Sequence, residues 1–179
     1  METKIGADLT AFLEKIQSPD DRIRVTAWQS AGPQGAAAIA PLGALAASHD
    51  KGTARAATQA LETITHAAAK NPRARAAIAE ELLKIARSDR PRMVRANAIY
   101  LIGFCGESKI VPGLAHLLTD PILREDARLA LERIPGSASL NALEHAEKSA
   151  PPDFKPNLAQ SLHNRSLTRK TVGIRVASR

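Results

Sequence analysis

The feature that most constrains the fold of this chain is a short pattern that occurs five times. In each copy a Ser, Thr or Pro opens a turn that contains an aspartate, and a cationic side chain follows shortly afterwards. A small or apolar residue precedes the cation, and others follow it after three and after six or seven positions, which places them on one helix face. The copies lie at residues 18–32, 48–64, 88–103 and 119–136, with a weaker copy at 151–162.

Segments with their own apolar stripes lie between the copies, so each copy predicts the second helix of a helix pair. The cations recur every 29 to 40 residues, a period typical of arrays of such pairs. Alanine makes up 34 of the 179 residues and aromatic residues only 3%. Because alanine fills a core where helices approach closely, this composition favours packed helices over sheets. The predicted fold class is all-α.

The predicted organisation is a repeat domain over residues 1–165, followed by a basic tail over residues 166–179. The five helix pairs are expected at about residues 7–32, 36–69, 72–106, 108–136 and 137–163. In the tail, Val172, Ile174 and Val176 alternate as they would in a strand. We expect the tail to cover the exposed end of the last pair or to contact a neighbouring chain.

The segment 91–120, PRMVRANAIYLIGFCGESKIVPGLAHLLTD, resembles the HEAT-like repeats of bacteria, the short variety also found in phycobilin lyase-type proteins. It follows the consensus Asp…Val-Arg-x-x-Ala-x-x-x-Leu-Gly…Val-Pro-x-Leu…Leu, and the resemblance extends over roughly residues 7–165. It implies a right-handed α-solenoid of about five helix pairs, in which the second helices line the concave face. It also implies that the repeated Asp and Arg residues form a ladder between neighbouring pairs.

The repeated acidic and basic residues invite two interpretations, a structural ladder or a row of phosphate-binding arginines. An aspartate lies a few residues from each arginine, so the charges are balanced locally. A partly buried ion pair that loses one member costs several kcal/mol, about 3–5, which explains the pattern without a ligand. We therefore predict a structural ladder formed by Asp21 and Arg24, Asp50 and Arg55, Asp89 and Arg95, and Asp120 and Arg124.

Positions two and five residues after each ladder cation are expected on the concave face. They are small, amide-bearing and sparsely charged, which suits the docking of a peptide or helix but also an unoccupied groove. We predict partner contacts at Thr26, Gln29, Asn97, Tyr100, Asp126, Asn157 and Gln160, and the same offsets give Ala57 and Ala60 in the second copy. Tyr100 is either a central interface anchor or a cover for the seam between pairs.

The charge distribution supports an alternative function. The net charge of +7 is concentrated at residues 70–95 and 163–179, where basic side chains outnumber acidic ones by eight to three and by five to none. Such regions contact nucleic acid or an acidic protein surface, or they are simply solvated. The candidate nucleic-acid contacts are Arg73, Arg75, Arg90, Arg92, Arg165, Arg169 and Lys170. We favour a protein-binding scaffold, because stacking aromatic residues are missing near these clusters.

The sequence carries none of the motifs of a catalytic, cofactor or metal site. The five histidines do not occur in HExxH or CxxC-type arrangements, and no nucleophile elbow, Walker loop or GxGxxG is present. Cys105 falls near the apolar face of its helix, where a thiol behaves as a small inert hydrophobe. We therefore predict a non-catalytic protein without a cofactor or metal, whose partner is another protein.

The expected location is the cytoplasm. A single cysteine suits a reducing compartment, and the first residues lack the apolar core of a signal peptide. Residues 25–49 contain no charged side chain and are numerous enough to cross a bilayer. Because this run includes prolines, glycines and polar residues, we interpret it as short buried helices. The sequence leaves the oligomeric state open.

Overall fold

Helices and short turns make up the whole described part of the chain. In this computed structural model the backbone is described for residues 2–177 and the side chains for residues 8–167. Ten α-helices and two short 3-10 helices follow one another, and residues 2–177 contain no strand. The prediction of an all-α fold is confirmed.

The chain divides into two compact units. The N-terminal unit, Met1–Cys105, contains three consecutive helix pairs, and the C-terminal unit, Gly106–Arg179, contains two. The N-terminal unit comprises α1 (Glu2–Ile16), α2 (Asp21–Gln29), α3 (Ile39–Leu45), α4 (Lys51–Ala67), α5 (Pro72–Ala86) and α6 (Arg92–Cys105). The C-terminal unit comprises α7 (Val111–Leu117), α8 (Arg124–Arg133), α9 (Ser137–Ser149) and α10 (Lys155–Ala177).

Within the N-terminal unit, first helices pack on first helices and second helices pack on second helices. Helix α4 contacts its own partner α3 and lies between α2 and α6, while α3 contacts α5. Ala57 and Ala60 of α4 are fully buried, which allows the neighbouring helices to approach closely. Ile64 on α4 and Leu82 on α5 are also fully buried and supply larger apolar volume.

The C-terminal unit repeats this arrangement with two pairs. Helix α8 contacts its partner α7 and also α9 and α10, while α7 contacts α9. Its core contains Leu114, Leu123, Leu131 and Leu143 together with Phe154, all of them almost completely buried. Each described second helix therefore has neighbours within its own unit, as expected for repeated helix pairs.

The repeated turns explain much of the repeated sequence. Ser18, Ser48 and Ser88 each accept a hydrogen bond from the backbone N–H two residues later, at 3.2–3.3 Å. Asp20 and Asp50 then cap α2 and α4, and Asp50 accepts from the Thr53 N–H at 2.6 Å. Capping by such residues stabilises a helix by about 1 kcal/mol. Asp20 and Asp50 are therefore explained by helix capping before any ladder is considered.

One predicted turn depends on glycine, and one predicted strand-like segment is helical in the structure. The turn predicted between the first two pairs contains Gly35 with φ of 59°, a conformation that side chains other than glycine rarely adopt. At the other end of the chain, α10 is helical from Lys155 to Ala177, so the strand-like alternation at 172–176 does not produce a strand. A lone strand would leave its backbone groups unpaired, whereas a helix pairs them locally.

Candidate functional site

Two second helices of the N-terminal unit, α2 and α6, carry the predicted contact residues at or near the surface. Thr26 and Gln29 on α2 are exposed. On α6, Asn97 is half-buried and Tyr100 is 45% exposed. The structure thus places these four predicted contact residues at or near the surface of one unit.

The predicted contact positions of α4 lie in the core instead. Ala57 and Ala60 are fully buried, and the side chains that reach the surface include Arg55, the half-buried Glu62 and His66. The physical reason is a shift in register. The buried first-turn position occupied by Val94 on α6 is occupied on α4 by Thr53, which is 6% exposed. Arg55 lies two positions beyond it and faces solvent.

The predicted contact residue Tyr100 belongs to a larger exposed surface, which we call the aromatic patch and which also includes His66, Met93 and Phe104, three residues that the sequence analysis missed. Met93 is 72% and Phe104 47% exposed. The Tyr100 and Phe104 rings meet edge to face with centroids 4.9 Å apart, and His66 meets Phe104 at 6.1 Å. The α6 members lie at positions i, i+7 and i+11, a spacing on one helix face that could have identified them.

The two helices that carry the aromatic patch contain more basic than acidic side chains. Helices α4 and α6 together carry four Lys or Arg residues and one Glu. The Arg92 guanidinium lies 4.0 Å from the Met93 sulfur, and both side chains are exposed. The single acidic side chain, Glu62, accepts a hydrogen bond from Gln59 at 3.3 Å and is half-buried. The surface of these two helices therefore combines exposed apolar groups with positive charge.

In the C-terminal unit the predicted contact residues are occupied by neighbouring polar groups. Asn157 donates a hydrogen bond to Glu125, and Gln160 donates to Asn164 at 2.9 Å. Asp126 is half-buried. Asn157 and Gln160 are nevertheless exposed. The Asn157 amide connects α10 to α8 and the Gln160 amide is bonded within α10, so a partner would compete with these bonds.

The seam between α8 and α10, which we call the polar seam, is built on Arg128. This guanidinium contacts Glu125 at 2.8 Å and Glu132 at 3.4 Å and donates to the Ser161 hydroxyl, while its side chain is 13% exposed. Asn164 donates to Glu132 at 2.9 Å. Burial alone would raise the pKa of Glu125, but hydrogen bonds from Asn157 and Arg128 outweigh it and hold that pKa below its usual value.

The first Asp–Arg pair of the predicted ladder, Asp21 and Arg24, lies close to the next helix pair, and a glycine there makes the close approach possible. Arg24 contacts Asp21 at 3.0 Å and lies against the start of α4, where a Cβ on Gly52 would be 2.8 Å from the guanidinium carbon. The Thr53 N–H lowers the pKa of Asp50, and the positive charge of Arg24 lowers it further. Glycine at position 52 therefore gives Arg24 room to approach the next pair.

The fourth rung also joins consecutive pairs. Arg124, at the start of α8, forms an ion pair with Asp153 in the turn before α10 and lies 4.8 Å from the centroid of the Phe154 ring. The hydrogen bond from Arg124 holds the pKa of Asp153 below its usual value. Asp120, the predicted acidic member of this rung, accepts from the Ile122 N–H at 2.9 Å.

The second and third rungs are different. Arg95 donates to the carbonyl oxygen of Ala86 at 3.0 Å and so satisfies a backbone group at the end of α5. Asp89, its predicted partner, is exposed. Arg55 is also exposed and belongs to the shifted register of α4, so it does not occupy the buried ladder position expected for it.

The candidate nucleic-acid contacts lie in several different environments. Arg73 and Arg92 are exposed, whereas Arg75 and Arg90 are partly buried. Arg165 donates to backbone carbonyls at the end of α8, including Leu131 at 3.3 Å and Gly136 at 2.7 Å, and burial lowers its pKa. Its guanidinium therefore holds the C-terminal unit together. The side chains of Arg169 and Lys170 lie outside the described residues.

Cys105 lies in an environment that suppresses its reactivity. The thiol is 1% exposed and donates to the carbonyl of Leu101 at 3.5 Å. Burial raises the pKa of Cys105 to about 11, although the positive charge of Arg75 acts in the opposite direction. A thiol that stays protonated near neutral pH is a poor nucleophile. Among residues 8–167, no three His, Cys, Asp or Glu side chains are grouped as metal ligands would be.

The uncharged run at residues 25–49 is numerous enough in residues to raise the question of a membrane-spanning helix. In the described part of the chain, no helix combines the length and the apolar character needed to cross a bilayer. The run instead includes the end of α2, the 3-10 helix Gly32–Ala38 and the seven-residue helix α3.

Comparison with known proteins agrees with the repeat architecture. Residues 79–163, which begin within α5 and end within α10, match the model of the HEAT repeat family. A search of curated proteins found no significant match. HEAT repeats generally serve as protein-interaction scaffolds and are typically non-catalytic. This match and the consecutive helix pairs support a HEAT-like repeat architecture.

Proposed function

We propose that this protein is a non-catalytic scaffold that binds another protein through the exposed faces of its second helices. The observation that carries the proposal is the exposed aromatic patch, since Tyr100 and Phe104 remain 45% and 47% exposed on a helix whose other apolar side chains are mostly buried. Exposed groups of aromatic and apolar side chains mark interaction surfaces in folded proteins. Thr26 and Gln29 on α2 extend the candidate surface beyond the patch.

A lack of catalysis is part of the proposal. The single thiol is buried and its pKa is raised, which disfavours a nucleophilic role. The Arg124 ion pair with Asp153 and the Arg128 hydrogen bond to Ser161 both connect α8 to the segment that contains α10, so these arginines have structural explanations. A surface that binds by shape and apolar contact fits the described residues better than a reaction centre does.

Site-specific photo-crosslinking in cells of the native host tests the proposal. A photoreactive amino acid is placed at Thr26, Gln29 or Tyr100, and at Lys84 on the first-helix face as a control, where the side chain is 70% exposed. We expect one discrete protein adduct from the three second-helix positions and none from Lys84. Adducts formed only from Lys84 would contradict the proposal.

Nucleic-acid binding through the basic residues 70–95 and the C-terminal tail is the alternative. Arg73 and Arg92 are exposed, whereas the Arg165 guanidinium donates to backbone carbonyls. A gel shift with duplex and single-stranded oligonucleotides over a salt series separates the two functions. Binding that weakens steeply with salt and is lost in Arg73→Ala with Arg92→Ala would favour the alternative.

A further inference from the structure

We propose that the aromatic patch anchors an amphipathic helical segment of a partner protein, and that the polar face of this segment is acidic. This assignment rests on the proposed scaffold function and names the chemistry of the partner. The patch lies entirely within the N-terminal unit, on α4 and α6. It is distinct from the polar seam, whose side chains already bind one another.

The spacing of the patch matches that of a helix laid along it. Met93, Tyr100 and Phe104 span eleven positions of one helix face, a length of about 16 Å at 1.5 Å per residue. Partner helices dock through apolar residues that recur at i, i+3 or i+4 and i+7, a span of about 10 Å, and one further helical turn extends it to about 16 Å. Met93 is flexible and 72% exposed, so it adapts to the apolar side chains it meets.

The exposed area of the patch suits an anchor within a larger interface. With about 200 Å² for each fully exposed side chain, the exposed fractions of Met93, Tyr100 and Phe104 give roughly 300 Å². A patch of that size is at the lower end of the largest apolar patches on monomeric proteins, which are often functional. It is smaller than the ~800 Å² that each partner buries in a standard complex. Thr26, Gln29 and other second-helix residues would supply the remainder.

Charge complementarity identifies the polar character of the occupant. Lys51, Arg55 and Arg92 are exposed on the same two helices, and Glu62, the one acidic residue within them, is half-buried. The exposed Asp50, Asp89 and Glu107 lie just outside the helix ends. An acidic segment would approach such a surface favourably, whereas a basic segment would be repelled. The basic tail at residues 166–179 of a second copy is therefore a poor occupant, since it carries no acidic residue.

The ring geometry favours a protein over a single-stranded nucleic acid. Bases stack on open aromatic faces. Here Phe104 meets Tyr100 at an interplanar angle of 70° and His66 at 84°, so the three rings pack edge to face against one another. The exposed Met93 thioether extends this surface with aliphatic rather than planar groups. Branched apolar side chains of a helix fit the uneven surface of the aromatic patch better than stacked bases do.

Fluorescence anisotropy with three labelled peptides of about 14 residues tests the proposal on the full-length protein. Each peptide forms a helix, and leucines recur every three to four positions in two of them. One of these has glutamates on its polar face and the other lysines, and the third keeps the glutamates but has serines in place of leucines. We expect the acidic amphipathic peptide to bind at least about tenfold more tightly than either of the others. Equal binding of the acidic and basic peptides, tighter binding of the basic one, or no binding would overturn the proposal.

Two matched substitutions at Met93 separate apolar contact from charge. Both Met93→Glu and Met93→Lys remove the thioether at a position that is 72% exposed, so neither is expected to unfold the protein. We expect Met93→Glu to weaken binding of the acidic peptide at least about tenfold more than Met93→Lys does. Equal effects would contradict the charge argument. Phe104→Ser tests the apolar anchor, and Ile122→Glu, 59% exposed in the C-terminal unit, is the control expected to leave binding unchanged.

Other occupants of the patch give distinct results. Tight binding of a labelled single-stranded oligonucleotide that is lost in Phe104→Ser would overturn the proposal in favour of nucleic acid. A dimer in sedimentation that Phe104→Ser converts to a monomer would overturn it in favour of a second copy. If crosslinks form at Thr26 and Gln29 while the acidic peptide does not bind, the scaffold function stands and the acidic-segment inference fails.

Discussion

Each of the two units holds its own second helices together, and the two units do so by different chemistry. In the N-terminal unit, α4 lies between α2 and α6 through buried small side chains such as Ala57 and Ala60. In the C-terminal unit, α8 meets α10 through the polar seam around Arg128, Glu125 and Glu132. The same repeated topology therefore uses close apolar contact in one unit and a network of hydrogen bonds between charged and polar side chains in the other.

This difference affects what remains available to a partner. Alanine contacts bring α4 and α6 together without using their outer side chains, so Tyr100, Phe104 and His66 stay at the surface. The polar seam uses the outer side chains themselves, including Asn157 and Asn164. We therefore expect the N-terminal unit to supply the main binding surface and the C-terminal unit to be held by its own polar contacts.

Removing the centre of the polar seam is expected to have the largest effect on stability. Arg128→Ala leaves Glu125 and Glu132 close together and without the guanidinium that neutralises them. The expected loss is about 2–3 kcal/mol of unfolding free energy, somewhat below the range for a fully buried pair, since Arg128 is 13% exposed. Urea denaturation followed by circular dichroism measures it, with Lys148→Ala, an exposed position on α9, as the control. A loss no larger than the control's would mean that the seam adds little.

The N-terminal unit gives a matched pair of arginines that differ in burial. Arg95 is partly buried and donates to the Ala86 carbonyl, whereas Arg92, three residues earlier on α6, is exposed. We expect Arg95→Ala to reduce the unfolding free energy by about 1–2 kcal/mol and Arg92→Ala by less than about 0.5 kcal/mol. Thermal melts that shift equally in the two variants would count against a structural role for Arg95.

The burial of Cys105, which follows Phe104 of the aromatic patch on α6, can be tested by chemical modification. Because burial raises the pKa of Cys105 to about 11, from an ordinary value of 9.0, its thiolate fraction near pH 8 falls by about 100-fold. We expect iodoacetamide to modify the native thiol at least about 100 times more slowly than the thiol in urea-unfolded protein. Mass spectrometry of timed samples gives both rates. Similar rates would show that the α6 face around Cys105 opens readily to solvent.

The smallest expected effect is a change in acid sensitivity of the C-terminal unit. The folded-state pKa values of Asp153 and Glu125 are lowered, so their stabilisation is present above their ordinary values of 3.8 and 4.5 and is lost as the pH falls through the lowered ones. Arg124→Gln removes the charged hydrogen bond to Asp153. We expect the melting temperature of this variant to fall less than that of the wild type between about pH 5 and about pH 3. Parallel curves for the two proteins would contradict this linkage.

The sequence was sufficient to predict the helix-pair fold because the turn and helix signals repeat. The aspartates at the turns, the proline at position 72 and the apolar spacing all depend on local physical chemistry. The inert environment of Cys105 followed from the same helix spacing, and the buried thiol agrees with it. Local patterns of this kind survive even where copies differ in length.

The register of α4 was harder to predict, because its anchor position is held by Thr53 rather than by a larger apolar residue. Arg55 then provided a plausible but misplaced match to the repeated cation, which moved Ala57 and Ala60 onto the predicted surface. Contacts between residues far apart in the sequence could also not be predicted from the local spacing of residues. The capture of Arg165 by the end of α8 and the pairing of Arg124 with Asp153 depend on how α10 packs.

The central claim is that the second-helix face of the N-terminal unit holds the partner. Once photo-crosslinking has identified that partner, its affinity should be measured by calorimetry for the wild type, Tyr100→Ala, Gln29→Ala and Lys84→Ala. Tyr100→Ala is expected to weaken binding by at least about tenfold, as an aromatic anchor would, and Gln29→Ala by a smaller factor. Lys84→Ala, on the first-helix face, is expected to leave the affinity unchanged. Weaker binding in Lys84→Ala together with unchanged binding in the other two variants would contradict the account.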